Sequence, residues 1–173
     1  MASSLLAQNL KNKLSKVVQR ALLISVKRNA FDVNSFQGLE VERVSETGHK
    51  AQFSLEVTQE MCHFGGFMHS GMLTALFCNT SSLHSTCLDE AERKAFTTDV
   101  NMTFVKPSGV GEGLAVHSEI LKLGQKLCIA DGRIINHHGD LIAAGRHTML
   151  FTGEPGKGIQ FEETEVSHGL DYL

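Results

Sequence analysis

The sequence predicts an α+β fold: one buried central helix against a large antiparallel sheet, with a further helix at the N-terminus. Three observations carry that expectation. Two short stretches of strand character, 36–45 and 50–57, precede an apolar helical segment near 70–86, and four longer strand-like stretches follow at 95–106, 113–123, 126–137 and 140–152. Turn chemistry falls between them, in "ETGH", "PSGVGEG", "GQ" and "HHGD". Both prolines, Pro107 and Pro155, fall at strand ends, where a missing N–H is tolerated.

The elements follow in order. The segment "MASSLLAQNLKNKLSKVVQRALLISVKRNAF" has six Lys or Arg and no acid before Asp32, the composition of a mitochondrial transit peptide. Leu10, Leu14, Val17 and Ala21 follow helical spacing, which favours an amphipathic surface helix over residues 1–31. Residues 36–45 and 50–57 form a hairpin. The segment 70–86 carries Met72, Leu73, Ala75, Leu76, Phe77 and Cys78, apolar nearly all round its first half, as in a buried helix. The last four strands are expected as a meander that closes the domain of 32–152, and the tail 153–173 has no sustained pattern and is expected to be loosely ordered.

Composition sets bounds. At 173 residues and 18.9 kDa the chain suits one domain, and a net charge of -3 with pI near 6.3 gives no field for nucleic acid. No apolar run approaches the roughly 20 residues that span a bilayer, so a soluble protein is expected. Cys62, Cys78, Cys87 and Cys128 form no CxxC pair, which points to free thiols in a reducing compartment, cytoplasmic or mitochondrial. His137 and His138 are adjacent, a spacing that rarely converges on one ion, and no metal is expected.

The stretch "MHSGMLTALF" resembles the HGG-helix signature of hotdog-fold thioesterases of the phenylacetate-pathway (PaaI-like) group, in particular the acyl-coenzyme A thioesterase 13 type. "FTTDVNMTFVKPSGVGEG", "EILKLGQKL" and "GDLIAAGRHTM" follow in that family's order and spacing, so the resemblance covers roughly residues 10–151. It implies a sheet wrapped around the central helix, sites built from two subunits in a homodimer or homotetramer, and hydrolysis of acyl-CoA with no metal or redox cofactor.

The resemblance also assigns residues. A helix N-terminus presents unpaired N–H groups and a positive dipole end. Ser70 stands at the family's first glycine after the histidine, so its backbone N–H is the implied oxyanion donor, a role that needs no particular side chain. His69 matches the motif histidine that orients the reacting group; the alternative is a loop histidine capping the helix. The family's helix carboxylate falls nine residues after the histidine, where this chain has Cys78, and the family's Asn matches His63. No Asp or Glu occurs between Glu60 and Asp89. Three readings of Cys78 stay open: a buried small residue, a thiolate assisted by His63, or the mark of a chain whose task is binding.

On the opposite wall, "FTTDVNMTF" alternates, which puts Thr97, Asp99, Asn101 and Thr103 on one polar face and Phe96, Thr98, Val100, Met102 and Phe104 on the other. By resemblance Thr97 keeps the family's hydroxyl near the reacting water and Asp99 matches an acid near the substrate; a merely solvated face is the alternative. The coenzyme A segments match Phe104, Val105, Lys106, Pro107, Ser108 and Gly109, and Lys122, Gly124 and Lys126, with the lysines as phosphate partners and Arg146 and His147 near the nucleotide. Two function classes remain: an acyl-CoA thioesterase acting on fatty or aryl thioesters, or a catalytically impaired acyl-CoA-binding paralogue.

Overall fold

A computed structural model describes residues 2–91 and 93–152. Helix α1 (Ala2–Lys27) is followed by a single turn, α2 (Val33–Phe36), then strands β1 (Glu40–Val44) and β2 (Lys50–Glu56). The central helix α3 (Ser70–Leu88) precedes β3 (Lys94–Phe104), β4 (Gly113–Leu123), β5 (Leu127–Asn136) and β6 (Leu141–Thr152). All six strands form one antiparallel sheet in the order β1-β2-β4-β5-β6-β3.

Two expectations change. The last four strands are not a simple meander: β4, β5 and β6 are, but β3 crosses to the far edge and pairs with β6 from Lys94–Thr152 to Phe104–Ala143. The first strand is shorter than 36–45 because residues 33–36 take a helical turn, in which the Ser35 hydroxyl donates to Asp32 O at 2.8 Å and Phe36 is buried. Gly38, at φ +77°, then reverses the chain into β1, a conformation that costs glycine little.

The core lies between α3 and the sheet. Leu73, Leu76 and Phe77 of α3 meet Phe53, Val116, Ile134 and Ile142 from the strands. The second half of the buried face is polar, with Thr80, Ser81, His84 and Ser85 all inaccessible. Their hydroxyls are satisfied locally: Thr80 Oγ1 donates to Leu76 O at 2.8 Å and Ser81 Oγ to Phe77 O at 2.7 Å. The His84 ring donates from Nε2 to Gly48 O at 2.7 Å and accepts the Ser118 hydroxyl at Nδ1 at 3.0 Å, which ties α3 to the β1–β2 turn and to β4.

Helix α1 packs beside β1 through Leu10, Leu14, Val18, Ala21 and Leu22, with Leu14 fully inaccessible. The buried stripe passes through Val18 rather than the expected Val17, the i, i+4, i+8 row of a straight helix. Lys13 Nζ donates to Cys87 O at 2.7 Å, joining α1 to the far end of α3. All four cysteines are free thiols. Among the described residues no helix is long and apolar enough to cross a membrane. The expectation of a loose tail falls on 153–173, outside the described residues.

Phe77 rests on Gly132 of β5, where a Cβ would stand 2.1 Å from its ring and 3.0 Å from His117 O. Gly132→Ala should therefore destabilise the protein by about 1–3 kcal/mol in urea unfolding, and Phe77→Leu in the same chain should recover part of that loss.

Candidate active site

The N-terminus of α3 is held by a tight loop. Cys62 bridges Met68, and within that bridge Gly66 turns the chain at φ +81°. Met68 N–H donates to Ser108 O at 2.8 Å and His69 N–H to Met61 O at 2.9 Å, which seats the loop on the β3–β4 connection. That connection is in turn pinned by Glu112. Its carboxylate accepts the Ser108 hydroxyl at 2.7 Å, the Gly109 N–H at 3.0 Å and the Asn136 amide at 2.6 Å, and the Ser108 bond leads the causes that hold its carboxyl below the ordinary range.

Two histidines take the same local form. His63 Nδ1 accepts from Gly65 N–H and His69 Nδ1 from Gly71 N–H, each at 2.9 Å. A Cβ at Gly65 or Gly71 would stand 2.7 Å or 2.9 Å from the ring it faces, so each H-x-G turn uses its glycine. With Nδ1 accepting, each neutral ring carries its proton on Nε2. The rings lie 6.4 Å apart beside the exposed Phe64 and Phe67. His69 thus caps α3 and stands beside the first free amide: Met72 and Leu73 N–H both donate to His69 O, while among the described residues Ser70 N–H has no acceptor. A backbone N–H without a protein acceptor, the positive end of the helix dipole and two neighbouring imidazole rings give this end the chemistry to stabilise negative charge.

The second cluster lies further along α3. The register of β3 slips between Thr97 and Asp99, and the bulge puts Thr97 opposite Met149, Asp99 opposite Thr148 and Val100 opposite His147. Strict alternation is therefore overturned. Thr97 faces the helix on the same side as Val100 and Met102, while Asp99 points to the other face. The Thr97 hydroxyl meets His147 Nε2 at 2.9 Å, and His147 Nδ1 meets Ser81 Oγ at 2.8 Å.

The expected residues do not form one cluster in a single chain. Cys78 lies eight residues beyond Ser70, about 12 Å along the axis, and half-buried. Burial alone pushes its thiol up to about 11. His63, whose Nδ1 is taken by Gly65, is not brought to it, so the thiolate pair is not assembled within the chain. Thr97 and Phe104 stand roughly 20 Å apart along β3. His63, His69, Ser70 and the 104–109 segment share one end of the sheet. Cys78, Thr97, Lys122, Gly124 and Lys126 share the other, where Phe151 N–H donates to Lys126 O at 2.8 Å.

The coenzyme A residues divide in the same way. Phe104, Val105, Lys106 and Pro107 are exposed, and Lys106 pairs with Asp140 at 2.6 Å. Ser108 is buried and its hydroxyl spent on Glu112, so its side chain does not face a ligand. Lys122 and Lys126 are exposed around a turn held by Arg93, which donates to Gln125 O and, at 3.3 Å, to Gly124 O. Arg146 pairs with Asp131 at 2.6 Å on the outer face. His147, expected near the nucleotide, is fully inaccessible on the helix side. Among the described residues no three His, Cys, Asp or Glu are grouped to hold a metal.

A sheet of this order around one helix, with an open helix N-terminus, matches known proteins. The family model of the thioesterase superfamily covers residues 65–143. Human acyl-coenzyme A thioesterase 13 is 29% identical over 106 residues, 61% of this chain and 75% of that protein. The crystal structure of zebrafish thioesterase superfamily member 2 aligns with a TM-score of 0.71 and 25% identity, over 82% of this chain and 98% of that one. The similarity to the thioesterase superfamily is thus one of both sequence and fold. A hypothetical thioesterase protein from Streptococcus pneumoniae, solved with coenzyme A, shares the fold at a TM-score of 0.63 and 21% identity, over 71% of this chain and 92% of that one.

Two residues of this candidate site, Glu112 and Ser81, were not singled out from the sequence, and His147 was singled out only for the nucleotide. Glu112 was visible only as a lone acid in a glycine-rich turn. Ser81 lies on the buried central helix, where the run "NTSSLHST" was the available signal. Burial holds both His84 and His147 down at about 4, far below the 6.5 of a free imidazole. Between pH 6.5 and 4 the unfolded chain binds protons that the folded chain refuses, so the two rings' contribution to stability should fall as pH drops through that window and level off below it, where the depressed carboxylates continue the loss. Urea midpoints across pH 4–7 check this, and replacing His84 by Gln should flatten the slope.

Proposed function

We propose that this protein is an acyl-CoA thioesterase, hydrolysing a fatty or aryl acyl-CoA to the free acid and coenzyme A with no metal or redox cofactor. The observation that carries this reading is the unpaired Ser70 N–H at the start of α3, capped by His69 and flanked by the His63 ring. A thioester carbonyl oxygen seated there meets a backbone donor and a positive dipole end as it gains charge, which favours the tetrahedral state over the ground state. The acyl-coenzyme A specificity in the name of the human relative supports the substrate class. His63 serves as an imidazole donor where the family resemblance has an amide.

The active site is shared by two copies. β3 is an edge strand of eleven residues with one side unpaired, and Phe96, Phe104 and Val105 on or beside it are 45–55% exposed. Antiparallel pairing of two β3 edges sets the oxyanion end of one chain against the Thr97 end of the other, and brings Lys106 toward the 122–126 turn of the second copy. A homodimer, or a dimer of dimers, is the working unit. Helix α1 stays in the mature protein, in the cytoplasm or in mitochondria, since removing it uncovers the β1 side of the core around Leu14 and Val18. A place in lipid metabolism follows from the substrate class.

A second reading is a catalytically impaired acyl-CoA binder, favoured by Cys78, which offers no carboxylate and a thiol held protonated at neutral pH. Release of coenzyme A from a series of acyl-CoA chain lengths, set beside equilibrium binding of a non-hydrolysable analogue, separates the two: turnover supports the thioesterase, and binding without turnover supports the paralogue. Cys78→Ser should change kcat by less than about threefold, because an unionised thiol supplies little base catalysis. Cys78→Asp should raise kcat by at least tenfold, within the roughly 10²–10⁴-fold worth of general-base assistance. Native mass measurement should show a multiple of the 18.9 kDa chain, and a monomer alone would remove the shared site.

A further inference from the structure

Behind Thr97 lies a polar pair for which a solvated wall has no use. His147 is fully inaccessible, edge-on to the Phe77 ring at 6.1 Å between centroids, and both its nitrogens are occupied by hydroxyls. Ser81 has one hydroxyl proton, and it is given to Phe77 O at 2.7 Å, with Cys78 O at 3.1 Å as a second acceptor. Ser81 Oγ can then only accept from the ring, so Nδ1 carries the imidazole proton and Nε2 presents a lone pair. Thr97 is left as the donor, at 2.9 Å, to a nitrogen that solvent does not reach. A solvent-exposed hydroxyl, a base behind it and a third group fixing the ring of that base is the arrangement of an activated nucleophile. The β3 bulge is what turns Thr97 toward the ring.

We infer that the Thr97 hydroxyl is the attacking nucleophile of this thioesterase and His147 its base, with Ser81 as a positioning residue, in place of the helix carboxylate that Cys78 lacks. This rests on the acyl-CoA hydrolysis proposed above. Thr97 Oγ1 forms a bond to the thioester carbonyl carbon while its proton passes to His147 Nε2. The C–S bond breaks, and the coenzyme A sulfur leaves with that proton, giving an ester on Thr97. Water then attacks the ester carbon, its proton passing to Nε2. The bond to Thr97 breaks as Oγ1 takes the proton back, and the free acid departs. No redox equivalent is consumed.

The electrostatics fit this cycle. At about 4 the buried imidazole is neutral at pH 7 and is about as basic as an ordinary carboxylate, the group it replaces. Asp99, across the bulge, pulls the ring the opposite way and favours the imidazolium that forms during attack.

The test uses the whole protein and palmitoyl-CoA as the probe. Thr97→Ser should keep turnover within about tenfold. Thr97→Val, of nearly the same shape and on an exposed residue, should lose at least 100-fold in kcat with binding of a non-hydrolysable palmitoyl-CoA analogue changed less than threefold. His147→Gln should lose as much. Acid-quenched wild-type and Thr97→Ser protein should carry a palmitoyl ester within residues 95–106, formed with a burst of coenzyme A. Ser81→Ala should lower kcat with KM unchanged and shift the imidazole ¹⁵N signals of His147 away from the Nδ1–H tautomer. If wild-type protein turns over and Thr97→Val keeps its rate within threefold, or no ester and no burst are seen, the Thr97 assignment is overturned while thioester hydrolysis stands. Wild-type protein that binds the analogue but releases no coenzyme A overturns both.

Discussion

The spacing between α3 and the sheet depends on the contact of Phe77 with the bare backbone of Gly132, where no side chain larger than hydrogen fits. A helix seated this close brings its next turns within hydrogen-bond reach of the strands. Ser81, four residues after Phe77, reaches His147 on β6, and His84, one turn further, reaches Ser118 on β4 and Gly48 in the hairpin. Lifted by the extra distance a side chain at residue 132 would impose, these short polar contacts lengthen together. Interiors are close-packed, so the strain has nowhere local to relax.

The same closeness explains why a helix with a polar second half is buried at all. Thr80 and Ser81 each return a hydroxyl proton to a carbonyl of their own helix, which leaves their acceptor positions facing the sheet. Histidine is the complement to such a surface, because its neutral ring offers one donor and one acceptor on opposite edges. In both His84 and His147 one nitrogen donates and the other accepts, and no buried side-chain polar atom is left without a partner among the described residues. The cost is that both rings must stay neutral, which makes the polar core the part of the molecule most exposed to acid.

Much of the fold was legible in the sequence because the signals were local. The bounds of β4, β5 and β6 follow turn residues and alternation to within about a residue, and α3 starts where His69 caps it. What was not legible needs the third dimension. The crossing of β3 to the edge beside β6 leaves no mark in the spacing of its own residues. Its bulge leaves none either, since "FTTDVNMTF" alternates without a break and only pairing with β6 reveals the extra residue. Thr97 was picked out by resemblance and placed on the wrong side of the strand by periodicity. Ser108 was picked out as a ligand residue, while the lone Glu112 that holds its hydroxyl was passed over.

The layout of α3 and β3 also bears on how the proposed thioesterase would work with Cys78 where the family resemblance implies a helix carboxylate. A charged Asp at residue 78 would share a half-buried stretch of α3 with Ser81, one turn away, whose oxygen already accepts from His147. With Cys78 in place, nothing ionised at neutral pH lies on that part of the helix, and burial of the thiol costs little. The imidazole is then the base held behind the strand, with the Thr97 hydroxyl between it and solvent. A carboxylate on the helix acts on water directly; a histidine behind the strand acts through the one residue that the bulge turns inward. The two arrangements draw on the same oxyanion end of α3, so the receptor for the carbonyl can stay unchanged while the proton acceptor moves from helix to sheet.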